Sequence, residues 1–256
     1  MSTDELHKMR HSLAHIMAQA VQHLWPQAKF GVGPAIDDGF YYDIDLGGAT
    51  ISEDDFPKIE KEMKKIIAAN YPFERRDVPI EDAIAWAENN HQVFKLELLN
   101  DLKRSGTTVA KELVGEDLGS VTDRDSKLKT VSLYSQGDYT DLCRGGHADS
   151  TGKVGAFKLM RVAGAYWRGD EKRQQMQRLY GVAFATHKEL DDYLKKLELA
   201  KQRDHRKLGK ELDLYTTSPL VGVGLPLFTP RGTILRDVVA QYSNQLRQKF
   251  GFEKVW

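Results

Sequence analysis

The sequence predicts an α+β fold, helices packed on a largely antiparallel sheet, followed by a long linker helix and a short segment of different character. Three observations carry this expectation. Residues 3–24 repeat apolar side chains at three- and four-residue steps (Leu6, Met9, Leu13, Ile16, Ala20, Leu24), the period of an amphipathic helix. Strand-like runs recur around short turns, Lys29–Pro34 and Gly39–Leu46 flanking Asp37-Asp38-Gly39, where carboxylates favour a turn and glycine accepts positive φ. The stretch from Thr186 to about Gly209 is dense in Lys, Glu and Arg, as expected of a solvent-washed connector between domains.

Taken in order, Thr3 or Asp4 caps the first helix and Pro26 stops it. After the hairpin, Ser52 followed three residues later by Asp55 reads as a capping box. The helix it opens places Phe56, Ile59, Met63, Ile66 and Ile67 on one face. A strand over Phe73–Val78 leads to helices over Ile80–Asn90 and Val93–Leu102. Ser105–Leu128 has little periodicity and reads as an excursion. Strands follow over Thr130–Tyr134, Ala156–Val162 and Met176–Phe184, with a tight aromatic turn at Gly164-Ala165-Tyr166-Trp167-Arg168-Gly169-Asp170. Beyond the linker, a helix over Thr233–Lys249 and a strand over Gly251–Trp256 read as the opening of a second domain. About 45 residues cannot bury a full core, so that domain is expected to be cut short. The expected division is therefore 1–185, a linker over 186–210, and 211–256.

Composition narrows the function classes. The 37 basic and 37 acidic side chains cancel, so bulk charge does not announce a nucleic-acid binder. Distribution is uneven: Phe157–Lys210 holds 14 Lys/Arg against 7 Asp/Glu, an excess of 14 − 7 = 7. One cysteine excludes an intrachain disulfide framework and fits a reducing compartment. No apolar run approaches the roughly 20 residues that span a bilayer, and the polar start Met1-Ser2-Thr3-Asp4-Glu5 has no signal-peptide pattern. A soluble, cytoplasmic protein without a membrane partner is the expectation.

The chemistry concentrates in two places. That single cysteine stands in Asp141-Leu142-Cys143-Arg144-Gly145-Gly146-His147, where two glycines allow a tight turn. Far upstream, His11 and His15 lie one turn apart on one helix face. Together His11, His15, Cys143 and His147 supply three nitrogens and a sulfur, a set suited to tetrahedral zinc. With Asp141 beside them the same groups offer a general base and donors able to position a water for attack on an ester. Taken singly, a lone cysteine is more often a small buried hydrophobe; it is the coincidence of four such residues with a carboxylate that points to a site.

These motifs resemble those of bacterial-type threonyl-tRNA synthetases. The likeness runs over essentially the whole sequence: His11-Ser12-Leu13-Ala14-His15 is similar to the family's His-x3-His helix, Gly39-Phe40-Tyr41-Tyr42-Asp43 to its hairpin, and Tyr139–His147 to its editing loop, where the family often has proline in place of Gly146. Arg203–Lys210 resembles the linker into a class II catalytic domain. The resemblance implies an editing domain of the threonyl/alanyl type, then the truncated start of the class II domain. It implies hydrolysis of seryl-tRNA(Thr) by a positioned water. In that reading His11 and Asp141 organise the water and the terminal ribose, His15, Cys143 and His147 complete the cluster, and Lys95 stabilises charge on the ester carbonyl. Tyr42 and Asp43 line the substrate pocket. The implied partners are the tRNA(Thr) acceptor end and its serine moiety. ATP, Mg and zinc would serve the parent's catalytic portion, and the parent would be a homodimer. Zinc at the editing cluster stays open, as do two other readings: a free-standing trans-editing hydrolase and a non-catalytic tRNA- or metal-binding module.

Overall fold

The computed structural model describes residues 1–106, 129–222 and 224–253. The chain divides into two compact units, Met1–Leu190 and Asp191–Trp256.

In the first unit, helix α1 (Thr3–Leu24) is the central element. Its cap is Ser2, one residue before the expected caps, in a reciprocal box with Glu5. Every residue from His11 to Val21 is buried, so the helix is enclosed on all sides instead of lying amphipathically on a surface. Its polar stripe, His11, His15, Gln19 and His23 at four-residue steps, faces one set of partners; Met9, Leu13, Ile16, Met17 and Ala20 pack into the main core.

That core is closed by an antiparallel sheet in the order β1 (Lys29–Phe30), β3 (Gly39–Asp45), β8 (Gln175–Phe184) and β7 (Ala156–Tyr166), with β2 (Ala35–Ile36) paired to β3. The single strand expected over Lys29–Pro34 is split into β1 and β2 by an irregular stretch over Gly31–Pro34, where Gly31 and Val32 both bond to the backbone of Asp43. Alternation along β3 sends Phe40, Tyr42 and Ile44 into the core. The expected aromatic turn is partly strand: Gly164–Tyr166 continues β7, paired with Gln175–Gln177, and only Trp167–Gly169 turns, as a 3-10 helix.

Helix α2 (Phe56–Ala69) follows a short 3-10 turn at Glu53–Asp55, where the Ser52 N–H donates to Asp55. It buries Ile59, Met63 and Ile66 in the main core. A second sheet, β4 (Glu74–Pro79), β5 (Thr130–Gln136) and β6 (Tyr139–Leu142), is also antiparallel. It shares a smaller core, Ile80, Ala83, Ala87, Leu99, Leu102 and Val131, with α3 (Ile80–Asn89) and α4 (Val93–Ser105). The excursion read over Ser105–Leu128 lies, apart from its first two residues, outside the described residues. Among the described residues no helix is long and apolar enough to cross a membrane.

The expected linker helix is two helices, α5 (His187–Gln202) and α6 (His205–Glu211). They are interrupted at Asp204, whose carboxylate caps α6 by accepting from the Arg206 N–H at 2.8 Å. The second unit then pairs β9 (Tyr215–Thr216) with β10 (Leu227–Phe228) and runs into α7 (Pro230–Lys249), capped by Thr229. On α7, Ile234, Val238, Val239 and Tyr242 are exposed, whereas among the described residues the three buried apolar clusters lie in the first unit. Gly251–Glu253 is not in a strand; the rest of the expected terminal strand lies outside the described residues.

Candidate functional site

Three local rules bring the site together. Along β6 the period of two places Tyr139 and Asp141 inward, and the same parity carries Cys143 to that face just past the strand. On α1 the four-residue step points His11 and His15 at them. From α4, Lys95 enters the interior instead of reaching solvent and is only 3% exposed.

The centre is an ionic trio. Lys95 Nζ donates to Asp141 Oδ1 at 2.7 Å and to the Tyr42 hydroxyl at 3.1 Å, while Tyr42 donates to Asp141 Oδ2. Each charge is thus buried with its partner and with a further hydrogen bond, the condition under which a buried pair is tolerated. His15 Nε2 stands 3.7 Å from Asp141 Oδ2. Burial first, and the neighbouring Asp141 second, push the Tyr42 phenol well above its usual range, so it remains a donor. Burial, then His11 and Lys95, hold His15 well below its usual range, so it is neutral.

Beside the trio, Cys143 Sγ lies 3.5 Å from His11 Nε2 and 3.3 Å from His147 Nε2. His147 is stacked on His11 (4.2 Å between centroids) and lies parallel to Phe73 (4.7 Å, 2° between planes). Gly145 makes the turn with φ of 114°, and a side chain there would collide with the Tyr134 hydroxyl. Ligand atoms of His11, His15, Cys143 and His147 all lie within 4.8 Å of one another. His15 Nδ1 is buried without a hydrogen-bond partner among the described residues. Donor chemistry and spacing therefore fit a zinc-like ion.

A cavity of about 60 Å³ opens on these groups, lined by His11, His15, Tyr42, Lys95, Asp141 and Cys143, with Gly33, Pro34 and Arg144 among its other walls. The structure thus brings Tyr42, Lys95, Asp141 and Cys143 together with the two α1 histidines, and sets His147 behind Cys143. Asp43 is elsewhere: one residue on from Tyr42, it faces the opposite side of β3, where Arg178 donates to both its oxygens at 2.6 and 2.9 Å. Sequence reasoning did not single out Ser12, Phe73 or Tyr139 as parts of the site. Ser12 alone carried a signal, its place between the two histidines.

With this geometry in view, the comparisons become specific. Residues 131–180, which run from β5 through the Cys143 loop into β8, match the threonyl and alanyl tRNA synthetase second additional domain. Threonine–tRNA ligase of Anoxybacillus flavithermus is 46% identical over 97% of this chain and 35% of its own length. Threonine–tRNA ligase 1 of Bacillus subtilis is 46% identical over all of the chain and 36% of its own length. Over nearly all its length the chain is similar to threonine–tRNA ligases. The likeness is not confined to close neighbours, since the Porphyromonas gingivalis threonine–tRNA ligase is 44% identical over 97% of the chain. The chain spans 35–36% of the length of the first two of these synthetases, and the second additional domain supplies only the later part of the site; α1, β3 and α4 contribute His11, His15, Tyr42 and Lys95 from outside it.

Proposed function

We propose that the first unit is a hydrolytic editing site that removes serine mischarged on tRNA(Thr). The observation that carries this reading is the buried Lys95–Asp141–Tyr42 trio opening, beside His11 and His15, on a cavity too small for a nucleotide. At roughly 10–15 Å³ per water, about 60 Å³ holds a few waters, the scale of a hydroxymethyl side chain and an attacking water.

A synthetase selecting threonine can reject valine by demanding a hydroxyl, but serine keeps that hydroxyl and lacks only a methyl, worth about 1–3 kcal/mol. A second, smaller pocket supplies the missing discrimination. In the reading proposed here, Asp141, fixed by Lys95 and Tyr42, accepts a hydrogen bond from the attacking water. His11 and the neutral His15, facing the same cavity, orient the terminal ribose hydroxyl and the water. Lys95 stabilises charge developing on the ester oxygen. Cys143 and His147 support His11. If a zinc ion is bound, His11, His15, Cys143 and His147 hold it, and it supplies Lewis-acid polarisation.

In the same reading residues 1–185 form the editing domain, 186–210 the linker and 211–256 the beginning of a class II catalytic domain. The parent is then a threonine–tRNA ligase using ATP, Mg and zinc, homodimeric and cytoplasmic. The test is deacylation of seryl- and threonyl-tRNA(Thr) by this chain, with and without a chelator. Selective loss of serine is expected. Persistence with chelator assigns the work to the trio; its loss assigns it to the metal-holding cluster. Hydrolysis of neither ester, or of both equally, refutes the proposal.

A further inference from the structure

Ser12 is fully buried on α1, and its hydroxyl has three polar neighbours. The hydroxyl approaches the backbone carbonyl of Lys8 at 2.8 Å, accepts the Ala148 N–H at 2.9 Å, and lies 3.3 Å from His147 Nδ1. A serine hydroxyl has one hydrogen and two acceptor lone pairs. The Lys8 carbonyl can only accept, and at the shorter distance it takes that hydrogen; the Ala148 amide can only donate. What remains for His147 is a lone pair, so the imidazole must be the donor at Nδ1.

We infer that Ser12 fixes His147 in the Nδ1–H tautomer and so leaves the Nε2 lone pair aimed at Cys143 Sγ, 3.3 Å away. Of the two neutral tautomers of the ring, only the one with its hydrogen on Nδ1 fits these partners. Parallel stacking on Phe73 fixes the plane of the ring. With an acceptor at Nε2, His147 takes the thiol hydrogen of Cys143, which is then not directed at His11 Nε2, 3.5 Å from the same sulfur. The Gly145 N–H, donating to Sγ at 3.3 Å, supports the sulfur from a third side. The opposite tautomer would turn an N–H toward the sulfur and leave Nδ1 with no hydrogen to offer Ser12. Ser12 is thus a positioning residue, acting through His147 and Cys143 on the cavity wall. Only the kinetic arm of its test rests on the editing reading.

The deciding measurement is long-range proton–nitrogen NMR of the full chain labelled at histidine. A pyrrole-type Nδ1 and a pyridine-type Nε2 are expected for His147. Ser12→Ala should shift both nitrogens toward tautomeric averaging and lower single-turnover seryl-tRNA deacylation about 10–100-fold, the usual effect of removing such a supporting partner. KM should stay within about twofold, since the lost contact does not touch the substrate. Ser12→Thr, which keeps the hydroxyl, should restore the nitrogen pattern. A wild-type His147 protonated at Nε2 overturns the inference, even if Ser12→Ala fails to fold. Nitrogen shifts unmoved by Ser12→Ala overturn it as well. The expected nitrogen pattern in a chain that does not deacylate would sink the editing reading and leave the tautomer assignment standing.

Discussion

Replacing Lys95 by methionine tests the trio most directly. The substitution keeps much of the buried stem and removes the ammonium, leaving Asp141 with the Tyr42 hydroxyl as its remaining close donor. At 2.7 Å and an effective dielectric constant of about 20, the gross attraction is about 6 kcal/mol. Desolvation of both charges offsets most of that in the intact pair. In the variant, the penalty on Asp141 remains and the attraction is gone, so a loss of about 3–5 kcal/mol is expected. Asp141→Asn should cost a similar amount, because it strands Lys95. The double variant should cost clearly less than the sum, with a coupling of at least about 2 kcal/mol. Urea unfolding of the four proteins, followed by circular dichroism, measures this cycle. Seryl-tRNA deacylation should fall about 10²–10⁴-fold in Asp141→Asn, which lacks a general base. Additive effects, or a Lys95→Met change under about 1 kcal/mol, would mean that the pair is solvated and that the argument for a dry, pre-aligned carboxylate is wrong.

Other expectations follow from the same coordinates. His23 is bracketed by Glu62 at 3.0 Å and Asp138 at 3.0 Å; partial burial disfavours its charged form, yet the two carboxylates raise its pKa above the usual value of about 6.5. Since the folded value is the higher one, its contribution is complete below about pH 6.5 and is lost as pH rises through the raised value. The depressed values of Glu62 and Asp138 set the lower limit, near the ordinary carboxylate range. His23→Ala should therefore destabilise more at pH 6 than at pH 8.5, by about 0.5–1 kcal/mol, in parallel urea titrations. Gly146→Ala should cost about 1–2 kcal/mol, for its φ of 83° alone, with open space around it. Gly145→Ala should cost more, since its side chain also meets Tyr134; thermal melts order the two. Tyr42→Phe removes two hydrogen bonds to charged groups, one donated to Asp141 and one accepted from Lys95, and should cost at least about 1.5–3 kcal/mol in the same urea assay.

The sequence carried the parts of the site that follow from period and spacing. A four-residue step places His11 and His15 together; the strand over Tyr139–Leu142, whose two-residue step sets Asp141 with Cys143, was hidden because the stretch reads as a loop. The bend at Gly145-Gly146 was legible from composition. What could not be read was the sidedness of β3. Tyr42 and Asp43 are adjacent and equally polar at their tips, and only the pairing of β3 with β8, which sets Arg178 opposite Asp43, decides which faces the cavity. Lys95 was marked through a resemblance, because nothing in the periodicity of α4 distinguishes a buried lysine from a solvated one. The break at Asp204 was hidden for a different reason: Lys, Glu and Arg favour helix throughout, and a single capping carboxylate outweighs them locally.

The opposition of Tyr42 and Asp43 on β3 turns the turn before it into a phase-setting device. Tyr42 faces the cavity only because the strand meets β8 in one register, and that register is anchored at Gly39, whose lack of a side chain lets the Gly181 carbonyl approach. Removing one residue between Asp38 and Tyr42 would bring Asp43 into the place of Tyr42, presenting a carboxylate to Lys95 and withdrawing the phenol from Asp141, and adding one would bring Tyr41 or the inserted residue there instead. Length at this turn is therefore expected to be held as firmly as the identity of the reacting groups, and a library of single-residue insertions and deletions there should lose function at a sharp boundary while tolerating substitutions at the exposed Asp37 and Asp38.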